Sequence, residues 1–481
     1  MAKKRIWISA DHGMAIIYFL QSGLTTALLD AGVEVVLLTD DSLVDKIKTS
    51  FNHKGMLVEG LLFHQAREYE KYQREPQWWL NFIRRVGGSR KINVEAQESY
   101  VRQVAVEESN HRRLFMPLAW LIIAGMRISK PVRMLIRKLQ MRYTPAYYDA
   151  LFNRLPPDLV IASTPGWRYD RYLLRAATRR GIPTAAAIVG WDPPSSYGLP
   201  GADVDYITCW SENQKKELIN GSDWLPERVN VGGVPAYDGY FMKHWIIPRD
   251  EYFRMHGLDK KRKLITYAAS FVSFSPNLQN VQALVDLINQ DGLIEPAQLL
   301  VRLHPNHFWN YPLYQQEADA IRNMAKKFPH VHVVEPVPLG GELGYYSGED
   351  MPEKSSMMAY SDVFTTVYST MVVEAAIHDR PIVSICIDQP GGWNTSRKYS
   401  LALSKIGNWP THQRFRDSGA GMVATDAEGL RVAINRYLKD DQTDKIERKQ
   451  FIKQECTITD GSAGKRTAEF FLNIINGRLS R

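Results

Sequence analysis

The stretch RIWISADHGMAIIYFLQSGLTTALLDAGVEVVLLTD, from Arg5 to Asp40, decides the fold class. Its two ends, RIWISA and VEVVLLTD, are short apolar runs that predict buried strands. Between them, the run from Gly13 to Ala31 predicts one helix that ends at Gly32. A strand, a helix and a second strand in this order predict the opening of a parallel sheet.

The same alternation continues on both sides of a predicted insertion. Residues 46–147 are expected to be mainly helical and amphipathic, and strands resume with PDLVIAST, IPTAAAIV, DVDYITCWS and RVNVGGVP. After a linker, 241–262, a second series follows with LITYAAS, AQLLVRLHP, HVHVVEP, SDVFTTVYS and RPIVSICID. The predicted fold is α/β, with two Rossmann-like doubly wound parallel-sheet domains, 1–240 and 263–481, facing a cleft.

The formal net charge of +8 is concentrated in one segment of the 481-residue chain. No acidic residue lies between Glu108 and Asp149, whereas eight basic residues do: Arg112, Arg113, Arg127, Lys130, Arg133, Arg137, Lys138 and Arg142. The apolar run LFMPLAWLIIAGM, 114–126, is too short to cross a bilayer, which takes about 20 residues. Two interpretations stay open for 112–142: a segment on an anionic membrane surface, or a buried helix with a solvated basic neighbour. Without a nucleic-acid-binding motif beside the charge, no nucleic-acid partner is expected.

The chain has three cysteines, Cys209, Cys386 and Cys456. Their scattered positions match neither disulfide nor zinc spacing, which favours a reducing compartment. Asp11 and His12 interrupt the first apolar run too early for a signal peptide. We therefore expect a cytoplasmic protein, with peripheral attachment to the inner face of the cell membrane as an open alternative.

Candidate ligand-binding residues follow the predicted strands, because ligands of doubly wound sheets bind beyond the carboxyl ends of strands. In YSTMVVEAA, Ser369 is expected to cap a helix and, with Tyr368 and Thr370, to hold phosphate. Glu374 lies one turn beyond Thr370, where its carboxylate can accept hydrogen bonds from a ribose diol. The alternative is that Ser369 is only a cap and Glu374 only a solvated helix residue.

The stretch LLVRLHPN, 299–306, ends a predicted buried strand on two basic side chains and a proline. Arg302 and His304 are two positions apart and are expected to face the donor phosphates, while Pro305 ends the strand. Ser270 follows the neighbouring strand LITYAA and joins the same predicted site. The alternative is an arginine paired with a buried acid and a structural histidine.

The first half supplies candidates for a general base. His12, with Asp11 to orient it or as the base itself, follows the first strand, and Asp192 in GWDPPSSYG is a further candidate. Asp11 could instead cap the following helix, with His12 a polar loop residue, and turn chemistry explains Asp192 nearly as well.

Several of these segments resemble the GT-B group of nucleotide-dependent transferases, most closely the branch of CDP-glycerol glycerophosphotransferases and bacterial capsule sialyltransferases. RLHP at 302–305 resembles their His-Pro motif, which binds the phosphate side of a cytidine nucleotide, and YST with Glu374 resembles their nucleotide-binding segment. WSENQKKEL from Trp210 and VGGVPAYD from Val231 resemble the close of the first domain, and TDGSAGKR, 459–466, resembles a C-terminal segment of the same branch. Several motifs are shared with non-hydrolysing UDP-N-acetylglucosamine 2-epimerases.

Residues and resemblance together predict a glycosyltransferase that moves a sugar from a nucleotide donor to a hydroxyl of a surface-polysaccharide or glycolipid acceptor. No cofactor and no metal are expected, since no Asp-x-Asp pair ends a strand in the nucleotide half. The alternatives are a CDP-alditol phosphotransferase, a nucleotide-sugar 2-epimerase and a non-catalytic nucleotide-sugar-binding subunit of a surface-assembly complex.

Overall fold

The computed structural model describes residues 3–51, 53–108, 110–272, 275–290, 292–341, 344–389 and 401–479. The chain divides into two compact units. Unit 1 consists of Met1–Asp238, Leu339–Tyr346 and Cys456–Arg481, and unit 2 of Gly239–Pro338 and Ser347–Glu455.

Unit 1 is built on a parallel sheet. Its strands, within the described residues, are β1 (Arg5–Ser9), β2 (Glu34–Thr39), β3 (Met56–Gly60), β4 (Leu159–Ala162), β5 (Thr184–Ala187), β6 (Tyr206–Cys209) and β7 (Val229–Val231). They pair in the order β3-β2-β1-β4-β5-β6-β7. Its first helices are α1 (Gly13–Ile16), α2 (Gly23–Asp30), α3 (Val44–Ser50), α4 (Phe63–Lys71), α5 (Glu75–Val86), α6 (Val94–Glu107), α7 (Asn110–Ile128), α8 (Lys130–Gln140), α9 (Asp149–Arg154), α10 (Asp170–Arg179), α11 (Pro193–Ser196) and α12 (Glu212–Ser222).

The second sheet repeats this architecture in unit 2. The later strands of the chain are β8 (Lys263–Ala268), β9 (Ala297–Arg302), β10 (Val331–Val334), β11 (Pro338–Gly340), β12 (Tyr345–Tyr346), β13 (Val363–Thr366), β14 (Ile382–Ile385) and β15 (Met422–Ala424). Six of them pair in parallel in the order β10-β9-β8-β13-β14-β15, and β11 and β12 form a separate ribbon. The accompanying helices are α13 (Asp238–Phe241), α14 (Arg249–Met255), α15 (Asn277–Asn289), α16 (Pro312–Lys327), α17 (Met351–Tyr360), α18 (Met371–Ile377), α19 (Leu403–Ile406), α20 (Pro410–Ser418), α21 (Ala427–Lys439) and α22 (Lys445–Cys456).

The predicted α/β fold with two doubly wound parallel sheets is confirmed, and the local differences have physical causes. The first helix does not run unbroken from residue 13 to residue 31, because Ile17–Gln21 is a π-helical turn and α2 starts afresh at Gly23. Ser22 causes the restart: its hydroxyl donates to the Tyr18 carbonyl at 2.6 Å and accepts the Leu24 N–H at 3.3 Å.

The predicted insertion, 46–147, is not wholly helical. It includes β3, which pairs in parallel with β2 and forms the edge of the first sheet. The apolar run in β3 is only three residues long and ends on Glu59, so its strand pattern is weak. The segment 241–262, predicted as a linker, contains α14 and belongs to unit 2.

The last helix of the chain, α23 (Ala463–Ile475), belongs to unit 1, although the sequence placed the whole of 263–481 in one domain. Asp238 fixes it there. Its carboxylate accepts the backbone N–H groups of Ala463 at 3.0 Å and Gly464 at 2.8 Å. This interaction joins VGGVPAYD to TDGSAGKR, two segments that the sequence suggested only by resemblance, and it satisfies N–H groups at the start of a helix.

Helix α7 has two apolar faces, one buried and one exposed. Met116, Ala119, Ile123 and Met126 are buried in a core cluster with residues of α5, α6 and α8. The other face is exposed: Leu114, Leu118, Leu121 and Ile128 keep 76, 56, 72 and 67% of their surface. The interpretation as a buried helix therefore describes one face of α7, and the exposed face leaves the membrane-surface interpretation a prediction.

The basic residues of the segment divide in the same way. Arg112, Arg127, Arg133 and Arg137 form ion pairs with acids that come from outside the segment or from its boundary. The exposed remainder, for which no ion pair is found among the described residues, is Arg113, Lys130, Lys138 and Arg142. Among the described residues no single helix has the length and hydropathy to span a membrane; α7 and α8 reach both only as a pair bent by 117°.

Replacing Asp238 by alanine should loosen α23, because two backbone N–H groups at its start lose their acceptor. We expect the free energy of local opening of 463–475 to fall by about 1–3 kcal/mol. Hydrogen exchange of these amides, followed by mass spectrometry, measures the change. Asp417→Ala, at an exposed aspartate, is the matched control and should leave exchange in α23 unchanged; equal protection in both variants would contradict the role given to Asp238.

Candidate functional site

Strand pairing brings three polar residues together in unit 1. β1 and β4 are neighbours, so the loops after them start side by side. The Ser163 hydroxyl donates to Oδ1 of Asp11 at 2.7 Å, and the same oxygen lies 2.9 Å from Nδ1 of His12. Asp11 is fully buried and His12 is 8% exposed. The structure thus places Asp11 where it orients His12, one of the roles predicted for it.

The hydrogen bonds decide which nitrogen of His12 carries the proton. A carboxylate oxygen can only accept, so Nδ1 is protonated and donates to Asp11, which leaves a lone pair on Nε2. Nε2 makes no hydrogen bond with any described residue. A histidine oriented by a buried carboxylate, with its second nitrogen free, has the arrangement of a general base.

Electrostatics keep this pair in the required protonation states. Burial lowers the pKa of His12 below its ordinary value, against the raising effect of Asp11. Burial alone would raise the pKa of Asp11, but the hydrogen bond and charge of His12 outweigh it and hold that pKa below the ordinary value. At pH 7 His12 is therefore neutral and Asp11 ionised.

A second buried carboxyl group, that of Asp170, acts electrostatically on Asp11, and the sequence analysis did not predict it. Burial and the charge of Asp11 raise the pKa of Asp170 to about 8, so this group is protonated at neutral pH. Asp170 accepts the Thr164 hydroxyl at 2.5 Å and the Arg168 N–H at 3.1 Å, and it holds the loop after β4 in place. Two carboxyls of opposite protonation state are characteristic of sites that handle protons. The only sequence clue was the position of Asp170 at the start of α10.

Gly13 is required by packing. A Cβ atom there would collide with the backbone oxygen of Gly344 and lie 3.1 Å from the ring of Tyr346. Gly344 and Tyr346 belong to unit 1 and lie against the start of α1. The space beside Gly13 is therefore filled by the chain itself.

Asp192, the other candidate base, precedes α11 in the loop after β5. Its backbone oxygen accepts the Ser195 hydroxyl at 3.0 Å and the N–H groups that begin the helical turn. Trp191 beside it is fully buried, so it offers no ring to a sugar. Turn chemistry explains this loop, and His12 is the better placed base.

The predicted donor residues of unit 2 converge at one sheet edge. Ser270 follows β8, His304 follows β9 and Ser369 follows β13, and these three strands are neighbours with β8 in the middle. All three side chains are half-buried. The rule that parallel strands present their carboxyl ends at one edge accounts for the convergence.

His304 is a neutral donor in this structure. Burial and the nearby His307 lower its pKa to about 3. The Asn306 backbone N–H, which can only donate, points at Nδ1 at 3.2 Å, so the proton lies on Nε2. The Asn306 side chain, 2.5 Å from Nδ1, must then present its NH₂ group to the ring. Pro305 starts the short 3₁₀ turn Pro305–Phe308 that fixes this geometry.

Two buried residues, His307 and Asn277, and the partly exposed Glu317 hold His304 in place, and the sequence analysis predicted none of them. His307 accepts the His304 backbone N–H at 2.9 Å and faces Glu317 at 2.9 Å. Asn277 donates to Glu317 at 2.9 Å and accepts the Ser270 backbone N–H at 2.9 Å. The loops after β8 and β9 are thus linked by one network. The second histidine of LHPNH was the only clue in the sequence.

Arg302 does not have the role predicted for it. It is 6% exposed, and its guanidinium pairs with both Asp350 and Glu353. Burial alone would lower its pKa, but the two carboxylates raise it, so the group stays charged and is already neutralised. The alternative of an arginine paired with buried acids describes it correctly. Arg302 anchors α17 beneath β9 instead of facing phosphates.

Among the described residues, Lys354 on α17 places a cation near the site. Its Nζ lies 2.6 Å from Oε2 of Glu374, and its charge contributes to lowering the pKa of His304. The Tyr240 hydroxyl donates to the same oxygen of Glu374 at 2.7 Å. Glu374 is 3% exposed, so it is not a solvated helix residue, and its Oε1 makes no hydrogen bond with any described residue. One carboxylate oxygen is therefore available to a ligand.

The segment YST leads into α18, where Ser369 was expected to cap the helix. Its hydroxyl accepts the Met371 N–H at 3.3 Å, and Thr370 is the last residue before α18. Tyr368 turns away and packs against His412, with ring centroids 4.7 Å apart. Among the described residues, no group of three or more His, Cys, Asp or Glu side chains is placed to hold a metal ion.

Comparisons with known proteins identify the fold. No protein-family model matches the chain, and no curated protein matches it by sequence. Among solved structures, a Listeria monocytogenes protein described as a UDP-N-acetylglucosamine 2-epimerase aligns with a TM-score of 0.55 at 13% identity, over 99% of this chain and 98% of that one. MnaA of S. aureus, solved with UDP, aligns with a TM-score of 0.54 at 13% sequence identity, over 98% of this chain and 97% of that one. The UDP-GlcNAc 2-epimerase of Neisseria meningitidis, bound to UDP-GlcNAc, aligns with a TM-score of 0.52 at 12% sequence identity, over 98% of this chain and 100% of that one. At such identities the likeness shows the fold, which is the expected GT-B arrangement of two Rossmann-like domains.

The protonation of His12 is directly measurable. In protein labelled with ¹³C-histidine, the His12 resonance, assigned with His12→Gln, should titrate below pH 6.5, so that the free base is present above this pKa and lost as the pH falls through it. Asp11→Asn should lower the pKa further, because the Asp11 charge favours the protonated ring. A His12 pKa that stays the same or rises in Asp11→Asn would show that the dyad does not exist.

Proposed function

We propose that the protein is a glycosyltransferase of the GT-B type, which moves a sugar from a nucleotide donor to a hydroxyl of a surface-polysaccharide or glycolipid acceptor. The observation that carries this proposal is the Asp11–His12 pair. It supplies an oriented general base in unit 1, whereas the nucleotide-type residues lie in unit 2. A transferase needs both sets, because it must activate an acceptor hydroxyl that is not part of the donor.

The donor half of the proposal rests on the sheet edge in unit 2. Nε2–H of His304, the ammonium of Lys354 and the hydroxyl of Ser369 are the donors offered to the phosphates, and Oε1 of Glu374 accepts from a ribose hydroxyl. Phe271 and Trp309, half-buried with ring centroids 5.6 Å apart beside His304, add an aromatic surface for the base or sugar. Donors held in place before reaction stabilise the charge of the leaving nucleotide as it develops.

In the proposed reaction the acceptor oxygen attacks the anomeric carbon of the donor sugar. As the new C–O bond forms, the bond from that carbon to the phosphate oxygen breaks and its electron pair leaves with the nucleotide. Nε2 of His12 takes the hydroxyl proton, and Asp11 stabilises the imidazolium that results. The proposal includes no metal and no other cofactor.

Epimerisation of a nucleotide sugar is the second candidate function. It is favoured by the likeness to solved structures described as UDP-N-acetylglucosamine 2-epimerases. Such an enzyme needs a nucleotide-sugar site but no separate acceptor. A CDP-alditol phosphotransferase would use the same two half-sites with a different bond cleaved, and a non-catalytic binding subunit would need only unit 2.

We further propose that the exposed face of α7 rests on an anionic membrane surface, where a glycolipid acceptor would be found. Leu114, Leu118, Leu121 and Ile128 recur at spacings of four, three and seven, on one side of the helix. The exposed cations Lys130 and Lys138 follow on α8. An apolar stripe beside cations matches a lipid surface of opposite charge.

Nucleotide binding tests the donor half. Of CMP, CDP, UDP, GDP and ADP, at least one should raise the melting temperature, since a ligand at 100 times its Kd stabilises by about 2.7 kcal/mol. His304→Ala should weaken that nucleotide at least tenfold, about 1.4 kcal/mol. His330→Ala, at the opposite edge of the same sheet, is the control and should bind normally. No shift with any nucleotide would refute the site.

The matching nucleotide sugar then separates the two activities. Incubated with the protein in D₂O without acceptor, it should return unchanged by NMR. Appearance of the C2 epimer or of deuterium at C2 would replace the transferase with the epimerase. A donor that is bound but neither transferred nor epimerised, with His12→Gln indistinguishable from the native protein, would favour the binding subunit.

Flotation with vesicles tests the membrane face. The protein should float with vesicles rich in phosphatidylglycerol at low salt and be released as salt screens the cations. Leu118→Glu/Leu121→Glu should weaken flotation at least tenfold, because each carboxylate would have to leave water. Ile446→Glu, at an equally exposed residue of α22, is the control. Equal loss in both variants, or no flotation of the native protein at low salt, would reject the lipid surface.

A further inference from the structure

The helical insertion of unit 1 encloses a cavity of about 250 Å³ that the proposed reaction has not used. Its walls come from α4, α5, α6, the start of α10 and the loop after β4. It is smaller than the roughly 300–1,000 Å³ pockets that hold drug-sized ligands, so it suits one sugar unit.

One set of lining residues is aromatic: Trp78, Phe82, Tyr100 and Trp167. Trp78 and Phe82 stack in parallel, with ring centroids 5.4 Å apart. The Arg112 guanidinium also lies over the Trp78 ring, 4.0 Å from its centroid, so Trp78 is covered by its neighbours. Trp167 is the indole of the lining that remains for the C–H face of a sugar. Polar side chains, Asn81 and Gln73, complete the lining and offer partners for hydroxyl groups.

The charges of the lining do not balance. Its two acids already have partners: Glu70 pairs with Arg171, and Glu108 pairs with Arg112 at 2.7 Å. Arg84 and Arg85 have no carboxylate partner among the described residues. The cavity therefore carries an excess of positive charge, and Arg84 is 2% exposed. Burial of a cation without a counter-ion is costly, so the site calls for an anion.

Hydrogen-bond donors without partners in the cavity lining also favour an anionic ligand. Nε of Arg84, Nε of Arg171 and Nε1 of Trp167 are buried and have no hydrogen-bond partner in the described part of the chain. All three groups belong to lining residues and all three can only donate. Burial and the charges of Arg171, Arg175 and Arg85 together hold the pKa of Arg84 well below its ordinary value, which shows how positive the surroundings are.

The loop after β4 links this cavity to the proposed base. Ser163 at its start bonds to Asp11, and Trp167 and Arg171 further along line the cavity. Between them, Arg168 acts electrostatically on both Asp11 and His12. An acceptor bound in the cavity would therefore be held by the same short segment that fixes the base.

We propose that this cavity binds an anionic sugar unit of the acceptor, its ring against Trp167 and its carboxylate or phosphate on Arg84 and Arg85. The inference rests on the proposed transferase function and names its acceptor class: a glycan or glycolipid with a negatively charged residue beside the hydroxyl that reacts.

Calorimetric titration of the intact protein with single sugars tests the proposal. At least one of glucuronate, galacturonate, N-acetylneuraminate and glucose 1-phosphate should bind at least tenfold more tightly than glucose or inorganic phosphate. Carboxylate and phosphate probes distinguish the two kinds of anion. If no anionic sugar binds below about 10 mM, an affinity near −3 kcal/mol, the proposal is overturned. It is also overturned if glucose, or phosphate alone, binds equally well.

Variants locate the binding. Arg85→Gln, at a half-buried position, should weaken the anionic sugar at least tenfold, and Arg84→Gln should do the same if circular dichroism shows it folded. Arg154→Gln, at an exposed arginine of the same unit, is the matched control. Equal binding in Arg85→Gln and Arg154→Gln would place the sugar elsewhere and overturn the assignment.

Failure of this inference and failure of the proposed function give different results. His12→Gln should still bind the anionic sugar while losing transfer, because the cavity does not contain His12. Nucleotide binding without sugar binding refutes the cavity alone, whereas sugar binding without nucleotide binding refutes the transferase and leaves an anionic-glycan site.

Discussion

Parallel pairing of β1 with β4 is the constraint on which the candidate active site depends. Apart from Arg5, which starts β1 and is partly exposed, both strands are buried, so their inner positions have no room for a charged side chain, and polar residues are found where the strands end. The pairing brings Asp11 within hydrogen-bond distance of Ser163, although the two are 152 residues apart. That contact holds the carboxylate, the carboxylate fixes the tautomer of His12, and the tautomer leaves a lone pair on Nε2 that no described residue engages.

The same constraint orders unit 2, where β9, β8 and β13 end side by side. There it is the compensation of charge that separates structural from ligand-facing residues. Arg302 is buried and has two carboxylate partners, so it stabilises the fold. Within the described residues, Arg84, equally buried in unit 1, has no carboxylate partner, and Glu374, although paired with Lys354 through Oε2, keeps Oε1 without a partner. Unpaired charge at a buried position costs free energy, which a folded protein tolerates where a ligand supplies the missing partner.

The insertion in unit 1 combines three requirements in one set of helices. One face of α7 completes a core, the other face remains exposed, and α5 carries the arginines of the cavity. Half of the basic residues in 112–142 form ion pairs within the protein, for example Arg133 with Asp223. The charge available to a partner is therefore smaller than the composition indicates, and it is confined to the exposed side.

Sequence alone determined the two parallel sheets, because a buried parallel strand must be a short apolar run and its helices must alternate with it. It also determined that polar residues after strands, such as His12, His304 and Glu374, would be found at the carboxyl edges. Only the tertiary structure decided which charges are already paired, because the sequence around Arg302 would be the same whether its side chain pairs with an acid or binds a phosphate. It also decided the contacts between distant segments, such as Asp238 with Ala463 and Ser163 with Asp11. Local sequence patterns indicate burial and spacing, whereas the residues that flank a side chain do not show which distant residue it contacts in the fold.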